Sequence, residues 1–421
     1  MVNKTYVPRE LEKNIEKWLD KKQILVIRGP RQCGKTTLLK QLKNKYEKKG
    51  VSLKNIHEFT MEDEFEKQEF EKDVKKYFSF YINNGGKHIF LIDEIQYVKN
   101  AGKLLKLIYD TMDVKIIVTG SSSLDLNNIG KFLVGRAIFF DLYPFNFREF
   151  LYSKDKKMHD HYLKEKINIK ALNKARLNKK EILCFKKLQK YFEEYLTFGG
   201  YPDIVLEKNI EIKKTLLKNL FFTYLEKDII KLYGLKYKEK VMNLIRYLAS
   251  VTGEVIKYDS ICNAVNMHFS EVKEALQILE DTFIVKQIRP YHKNLTTELK
   301  KNPKIYFYDA GMRNMILNRF EFSYDEKGRL FEWNIFNLLK DEDLLYWRTT
   351  NKSEVDFVYR INYNEVVPIE VKSSLKITRS FRSFLKEYKP KRGIIANNDR
   401  LEEIKIEKSK ILIVPHALLS A

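Results

Sequence analysis

Gly29-Pro30-Arg31-Gln32-Cys33-Gly34-Lys35-Thr36 spaces two glycines, a lysine and a hydroxyl as G-x-x-x-x-G-K-[ST] requires. In that pattern the glycines let successive backbone amides curl around phosphates. Lys35 reaches the β- and γ-phosphates, Thr36 ligates Mg²⁺, and Thr37 joins the run of nucleotide contacts. The expected ligand is therefore ATP with Mg²⁺. The apolar run Ile24–Ile27 before the loop and a helical pattern after it supply the context that a chance match in a turn would lack. The start of that helix adds positive potential for an anion. Cys33, beside the helix start, is either a thiol of lowered pKa or a small residue tolerated in the loop.

A second group completes the phosphate chemistry. Ile89-Phe90-Leu91-Ile92 reads as a buried strand that delivers Asp93 and Glu94 beside the loop. Asp93 is placed to hold Mg²⁺ and Glu94 to orient and polarise the attacking water. Thr119-Gly120-Ser121-Ser122-Ser123 ends the next strand, and Thr119 or Ser121 is a candidate sensor of the γ-phosphate. Arg136 is a candidate for neutralising charge on the transferring phosphoryl group, within its own subunit or across an interface. The competing reading of Arg136 is a structural salt bridge.

The third set is C-terminal. Asp356 lies in Glu354-Val355-Asp356-Phe357-Val358, and Glu370 and Lys372 lie in Ile369-Glu370-Val371-Lys372. Both segments read as strands, and residues two apart on a strand share a face. If the strands are neighbours the three side chains converge. The carboxylates can then hold Mg²⁺ for phosphodiester attack, and Lys372 can stabilise developing negative charge. Glu332 on the preceding helix can complete the acidic set. The group resembles the PD-(D/E)XK nuclease superfamily, with Val355 where that pattern has proline. Short patterns of this kind also arise by chance in a charged chain, and an intact set can serve binding only.

The elements that must position these residues divide the chain into four. Residues 1–145 alternate apolar strand-like runs, the last at Ala137–Phe140, with helical stretches Thr37–Lys48 and Leu104–Met112. That alternation predicts βαβ units, a mostly parallel sheet and a ligand at the carboxyl ends of its strands. Residues 146–235 read as a helical lid or linker, broken by Phe198-Gly199-Gly200-Tyr201-Pro202. Residues 236–318 follow the order of a winged helix-turn-helix: helices Val241–Ala249, Asp259–Val265 and Phe269–Glu280, then a ribbon at Phe283–Ile288 and Lys304–Tyr308. Residues 319–421 predict a small α/β nuclease-like domain: a helix Arg329–Leu339, strands Leu344–Arg348, Val355–Arg360 and Val366–Val371, a helix Arg379–Tyr388 and a strand Gly393–Ala396. The fold class expected is α/β.

The helix Phe269–Leu279 takes the place of a DNA-recognition helix, but its outer positions Glu271, Lys273, Glu274 and Gln277 include two acids. That face suits a structural or protein-binding role. If DNA binds, Lys286, Arg289, His292 and Lys293 on the ribbon are the better candidates.

Gly29–Thr37, Leu91-Ile92-Asp93-Glu94-Ile95-Gln96, Val118–Ser123 and Gly135-Arg136 followed by Leu142–Phe150 resemble a prokaryotic AAA-type ATPase family fused to a C-terminal domain of the DUF4143 type. Gly199-Gly200-Tyr201-Pro202 and Lys304–Gly311 resemble it too. The resemblance covers nearly the whole chain. It implies a P-loop fold, ATP binding and a cytosolic prokaryotic setting, and supplies no settled biological role.

Composition agrees with such a molecule. Hydrophobic residues are 44% and charged residues 32% of 421, enough for packed cores under a solvated surface. No run approaches ~18 apolar residues, so no membrane span is expected, and Met1-Val2-Asn3-Lys4 leads into polar sequence without a signal-peptide core, which makes the cytosol the expected location. Cys33, Cys184 and Cys262 are too dispersed for a zinc site or a disulfide framework. The net charge of +22 favours a polyanion such as DNA, although heavy lysine usage throughout is the plainer source. Residues 151–190 concentrate it, with 13 Lys or Arg against 4 Asp or Glu. Two functions follow: an ATPase coupled to a DNA-binding or nuclease-like module, or a nucleotide-switched scaffold whose C-terminal half binds a protein. An oligomer is compatible with either.

Overall fold

The computed structural model describes residues 6–82, 85–121, 129–170, 185–226, 238–292, 294, 298, 301–372 and 377–421. Cys184, Ser122, Ser123, Lys293 and part of the basic stretch, 171–184, lie outside the described residues.

The N-terminal part is built on strands β1 (Ile24–Arg28), β2 (Ile56–Thr60), β3 (His88–Asp93), β4 (Val114–Gly120) and β5 (Ala137–Asp141). All pair in parallel, in the order β2-β3-β4-β1-β5. The near-continuous apolar runs reflect burial on both faces. Ile24, Val26, Phe90, Ile92, Ile116 and Val118 enter one core, while Leu25, Ile27, Ile89, Leu91 and Ile117 enter the other. Helices Lys35–Lys48 and Ala101–Thr111 lie among the crossovers. Strand β2 was not anticipated, because Ile-His-Glu-Phe-Thr carries few apolar residues and only Ile56 is buried.

The described residues of the middle region are largely helical, in helices Phe147–Lys154, Lys156–Glu165, Phe185–Phe198 and Ile210–Tyr224. The strand pair β6 (Ile167–Asn168) and β15 (Leu419–Ser420) ties this region to the end of the chain. Helices Lys238–Ser250, Tyr258–Val265 and Phe269–Asp281 precede an antiparallel ribbon of β7 (Val285–Ile288) and β8 (Lys304–Phe307).

The C-terminal sheet has the order β13-β14-β12-β11-β10-β9. Its strands are β9 (Leu344–Arg348), β10 (Glu354–Asn362), β11 (Glu365–Val371), β12 (Arg392–Asn397), β13 (Glu402–Ile406) and β14 (Ser409–Pro415). The β10–β11 hairpin and its neighbours lie where the alternation predicted; the β13–β14 hairpin is additional. Helix Arg379–Tyr388 covers one face through Phe381, Phe384 and Leu385.

Two packing features depart from a chain of separate modules. One core joins Phe147, Phe150, Tyr195 and Leu196 of the helical middle to Trp333, Phe336, Phe357 and Ile369 of the last domain. The ribbon is also not a free wing. Pro290 bridges to Tyr346, and Tyr346 N donates to Arg289 O at 3.0 Å, so the ribbon leads straight onto edge strand β9.

Candidate functional site

The phosphate loop leaves the carboxyl end of β1 and enters the 14-residue helix Lys35–Lys48. Two glycines are required by geometry. A Cβ at Gly29 would run into the Leu142 carbonyl, and Gly34 holds φ of 101°, where other residues are strained. Lys35 is buried and donates to Gly29 O at 3.1 Å and Pro30 O at 3.0 Å. Thr36 and Thr37 are exposed at the helix start, as is Gln32 in the loop, whereas Pro30 and Cys33 are buried and Arg31 is half-buried. Cys33 is fully enclosed, and burial raises its thiol pKa. It is the packing residue of the two alternatives, not an activated thiol.

Parallel pairing brings the second group to the same end. Thr36 Oγ1 donates to Asp93 Oδ2 at 2.6 Å, and Lys35 Nζ is 4.0 Å from Glu94 Oε1. Thr119 donates to the other Asp93 oxygen, and Glu94 N donates to Thr119 Oγ1 at 3.2 Å. Ser121 Oγ donates to Glu94 Oε2 at 3.2 Å. Glu94 has φ of 55°, a left-handed conformation uncommon outside glycine and the kind of local strain that collects at functional sites. Lys35, Thr36, Asp93, Glu94, Thr119 and Ser121 therefore form one cluster.

Gln96 and Arg9 also belong to this region and were not singled out from sequence. Gln96 donates to Ser121 Oγ at 3.0 Å and to Glu94. Arg9, buried, donates to Cys33 O at 2.8 Å and Tyr143 O at 2.5 Å and pairs with Glu149 at 3.2 Å. Gln96 was legible as the end of the Asp-Glu-Ile-Gln run; Arg9 gave no signal.

Arg136 is placed elsewhere. Its carbonyl accepts from Ile24 N, at the start of β1, while the phosphate loop follows the end of that strand. Five residues of strand separate them, about 16 Å. Its guanidinium holds Asp110 at 2.8 and 3.2 Å. A role for Arg136 within its own subunit's site is thus corrected to the salt-bridge reading.

The C-terminal residues meet as the alternation required. Phe357 pairs with Ile369 across the β10–β11 hairpin, and the β9–β10 register is irregular between Val355 and Val358, the stretch that holds Asp356. Asp356 accepts from Val371 N at 2.7 Å. Glu370 accepts from Thr378 Oγ1 at 3.0 Å and lies 3.4 Å from Lys372 Nζ. Burial, then the charge of Asp356, raises the pKa values of both Glu370 and Glu332. Burial disfavours charge on Lys372, but Asp356 and Glu370 hold its ammonium above the ordinary lysine range.

The donor sets can be tested against the ions they imply. In the first cluster a hydroxyl and a carboxylate at hydrogen-bond distance suit a hard cation beside phosphates. In the second, Glu370 Oε2 is buried without a hydrogen-bond partner, an oxygen left for a cation. Among the described residues no three Asp, Glu, His or Cys side chains are arranged as a ready metal cage.

Of the DNA candidates on the ribbon, Lys286 is engaged, donating to the Lys340 carbonyl. Arg289 is exposed, and the His292 ring accepts from Asn294 N at 3.0 Å. On helix Phe269–Asp281, Glu271 turns back to His268 N as a cap, leaving Lys273, Glu274 and Gln277 outward. In the basic stretch, Lys154 pairs with Glu194 and Lys187 with Asp155. Among the described residues no helix is long and apolar enough to cross a membrane.

Comparison with known proteins follows the same order along the chain. Residues 21–151 match the AAA domain family, 189–323 a domain of unknown function (DUF8612) and 327–417 a domain of unknown function (DUF4143). The AAA match followed by the DUF4143 match is the arrangement the motifs imply. An uncharacterized protein of Methanocaldococcus jannaschii is 27% identical, over 96% of this chain and 86% of its own. An uncharacterized protein of Haemophilus influenzae is 24% identical, over 83% of this chain and 82% of its own. Domain III of the Thermotoga maritima replication initiation protein DnaA, 16% identical, covers 51% of this chain and 94% of its own with a TM-score of 0.29. At that score the fold is read from the parallel sheet itself.

Proposed function

We propose that this chain binds and hydrolyses Mg-ATP and couples its nucleotide state to a C-terminal module that binds or cuts nucleic acid. The observation that carries the first half is the Thr36–Asp93 contact of 2.6 Å, with Lys35 and Glu94 beside it. The AAA match supports a nucleotide-binding ATPase.

In this reading the loop amides from Gly29 to Thr37 and the Lys35 ammonium hold the phosphates. Thr36 and Asp93 would hold Mg²⁺, which neutralises charge on the phosphates when bound. Glu94 accepts the proton of the attacking water and orients it. Ser121 and Gln96 fix the Glu94 carboxylate, and Thr119 fixes Asp93. The loop reports its state through Arg9, which grips Cys33 O and Tyr143 O. Tyr143 OH in turn donates to Asp341 of the last domain at 2.6 Å.

In that domain Asp356 and Glu370 would hold a divalent cation, which activates water for phosphodiester attack when bound. Lys372 stabilises negative charge on the attacked phosphate. Glu332, on the helix behind, adds to the acidic field. Incubation of purified protein with labelled DNA and Mg²⁺ tests this half. Cleavage lost in Lys372→Ala supports it; cleavage unchanged assigns the activity elsewhere.

A second reading, a nucleotide-switched scaffold for a protein partner, is favoured by helix Phe269–Asp281. It presents Phe269, 49% exposed, beside a mixed-charge face. Partner capture insensitive to salt, with no DNA affinity at low salt, would select it.

A further inference from the structure

The C-terminal acidic cluster contains a lysine delivered from outside its domain. Lys304 opens β8 of the ribbon and is 1% exposed. Its Nζ lies 2.6 Å from Glu354 Oε1 and 4.0 Å from Glu332 Oε2, and 5.5 Å over the Tyr346 ring. We propose that Lys304 is the cluster's built-in cation: it occupies Glu332 and Glu354 in place of a second divalent ion and leaves the site to take one, at Asp356 and Glu370. This inference rests on the reading of the cluster as a metal site.

The hydrogen-bond partners divide the cluster in two. On one side every carboxylate is already answered. Glu332 accepts from Tyr306 OH at 3.2 Å, and the second oxygen of Glu354 faces Arg348 at 3.5 Å. Burial disfavours charge on Lys304, yet Glu332, Asp356 and Glu354 together hold its ammonium above the ordinary lysine range. A buried ammonium persists only when paired in this way. On the other side the account is incomplete. Asp356 Oδ2 has Val371 N and Glu370 Oε1 has Thr378 and Lys372, but Glu370 Oε2 is buried with no hydrogen-bond partner.

Charge points the same way. Glu332, Glu354, Asp356 and Glu370 face Lys304, Arg348 and Lys372, so carboxylates exceed cations. The excess sits with the unpartnered oxygen. Two divalent ions would need Glu332 and Glu354 free as ligands, and Lys304 holds them. Lys304 shares β8 with Tyr306, so the ribbon that leads onto β9 also sets the charge of the cluster.

The test counts ions. The chain carrying Asp93→Asn, which removes the carboxylate proposed to hold the cation of the nucleotide site, is stripped with a chelator. It is then titrated with Mn²⁺ alone and read by electron paramagnetic resonance. One ion per chain is expected, abolished by Asp356→Asn and retained in Lys304→Arg. Lys304→Met is expected to take two. Glu332→Gln is expected to keep one ion, with affinity lowered by no more than ~100-fold, since Glu332 is not a ligand. Two ions in the parent, or a single ion lost in Glu332→Gln, overturns the role of Lys304 and leaves the metal-site reading standing. Lys304→Met that folds and still takes one ion does the same. If that variant does not fold, the parent count and Glu332→Gln decide. No ion in the parent overturns the metal-site reading and this inference with it.

Discussion

The Asp309 carboxylate accepts from the Gly200 amide at 2.8 Å, joining segments 109 residues apart. Its other oxygen accepts from Met312 N at 2.8 Å. Gly199 has φ of 74°, and a Cβ there would collide with the same carboxylate. The Gly-Gly-Tyr-Pro turn is therefore fastened by Asp309, and Pro202 beyond it reaches Gly34 of the phosphate loop. Removing the carboxylate in Asp309→Ala strands two amides, a loss of about 2–5 kcal/mol. Burial raises the Asp309 pKa to about 6, despite amide bonds that oppose the shift. A carboxyl raised on folding stabilises fully below about pH 4 and loses that contribution as pH rises through the folded value. Denaturant melts should show a larger Asp309→Ala penalty at the acid end of this window than at pH 7.

Lys35 and Glu94 act at different steps and should separate in kinetics. Lys35→Ala removes the phosphate contact, so a fluorescent ATP analogue should no longer bind. Glu94→Gln keeps the shape, so binding should persist while turnover falls roughly 10²–10⁴-fold. Equal loss of binding in both variants would show that Glu94 holds the nucleotide and does not position water.

Arg136 and Asp110 lie at the far end of the sheet from the loop. Arg136→Ala should leave the turnover of dilute protein within about twofold of wild type, because an exposed pair carries little energy. A drop of 100-fold at dilution would mean that Arg136 reaches the phosphates.

What was legible in the sequence was local. The phosphate loop, the Asp93-Glu94 strand end and the Asp356–Glu370–Lys372 set each follow from a motif or a two-residue period inside one or two adjacent elements. The contacts that organise these groups are long-range and left no pattern. Arg9 meets Cys33 from before β1, and Lys304 enters the acidic cluster from the ribbon. The ribbon itself was legible, but its docking on Tyr346 depends on backbone hydrogen bonds that any sequence can make. Strand β2 was hidden because its half-buried His57 and exposed Glu58 and Thr60 side chains dilute the apolar signal.

The acidic cluster should bind metal in competition with protons. Glu370 and Glu332 have raised pKa values through burial and the nearby Asp356 charge. An incoming cation at Asp356 and Glu370 must displace the Glu370 proton, so affinity for Mn²⁺ should climb with pH from about 5 to about 8. Calorimetry in buffers of different ionisation heat should show proton release. Affinity flat across this range would mean that the carboxylates are already ionised.

The most direct test of the coupled ATPase is the hydrolysis rate of the full chain against added duplex DNA, with Glu94→Gln as the blank. Stimulation that fades as salt rises is expected, because the contacts would be with phosphates. Tyr143→Phe, which breaks the bond to Asp341, should keep basal turnover and lose the stimulation. A rate indifferent to DNA at low salt would contradict the coupling to nucleic acid and leave the protein-facing switch.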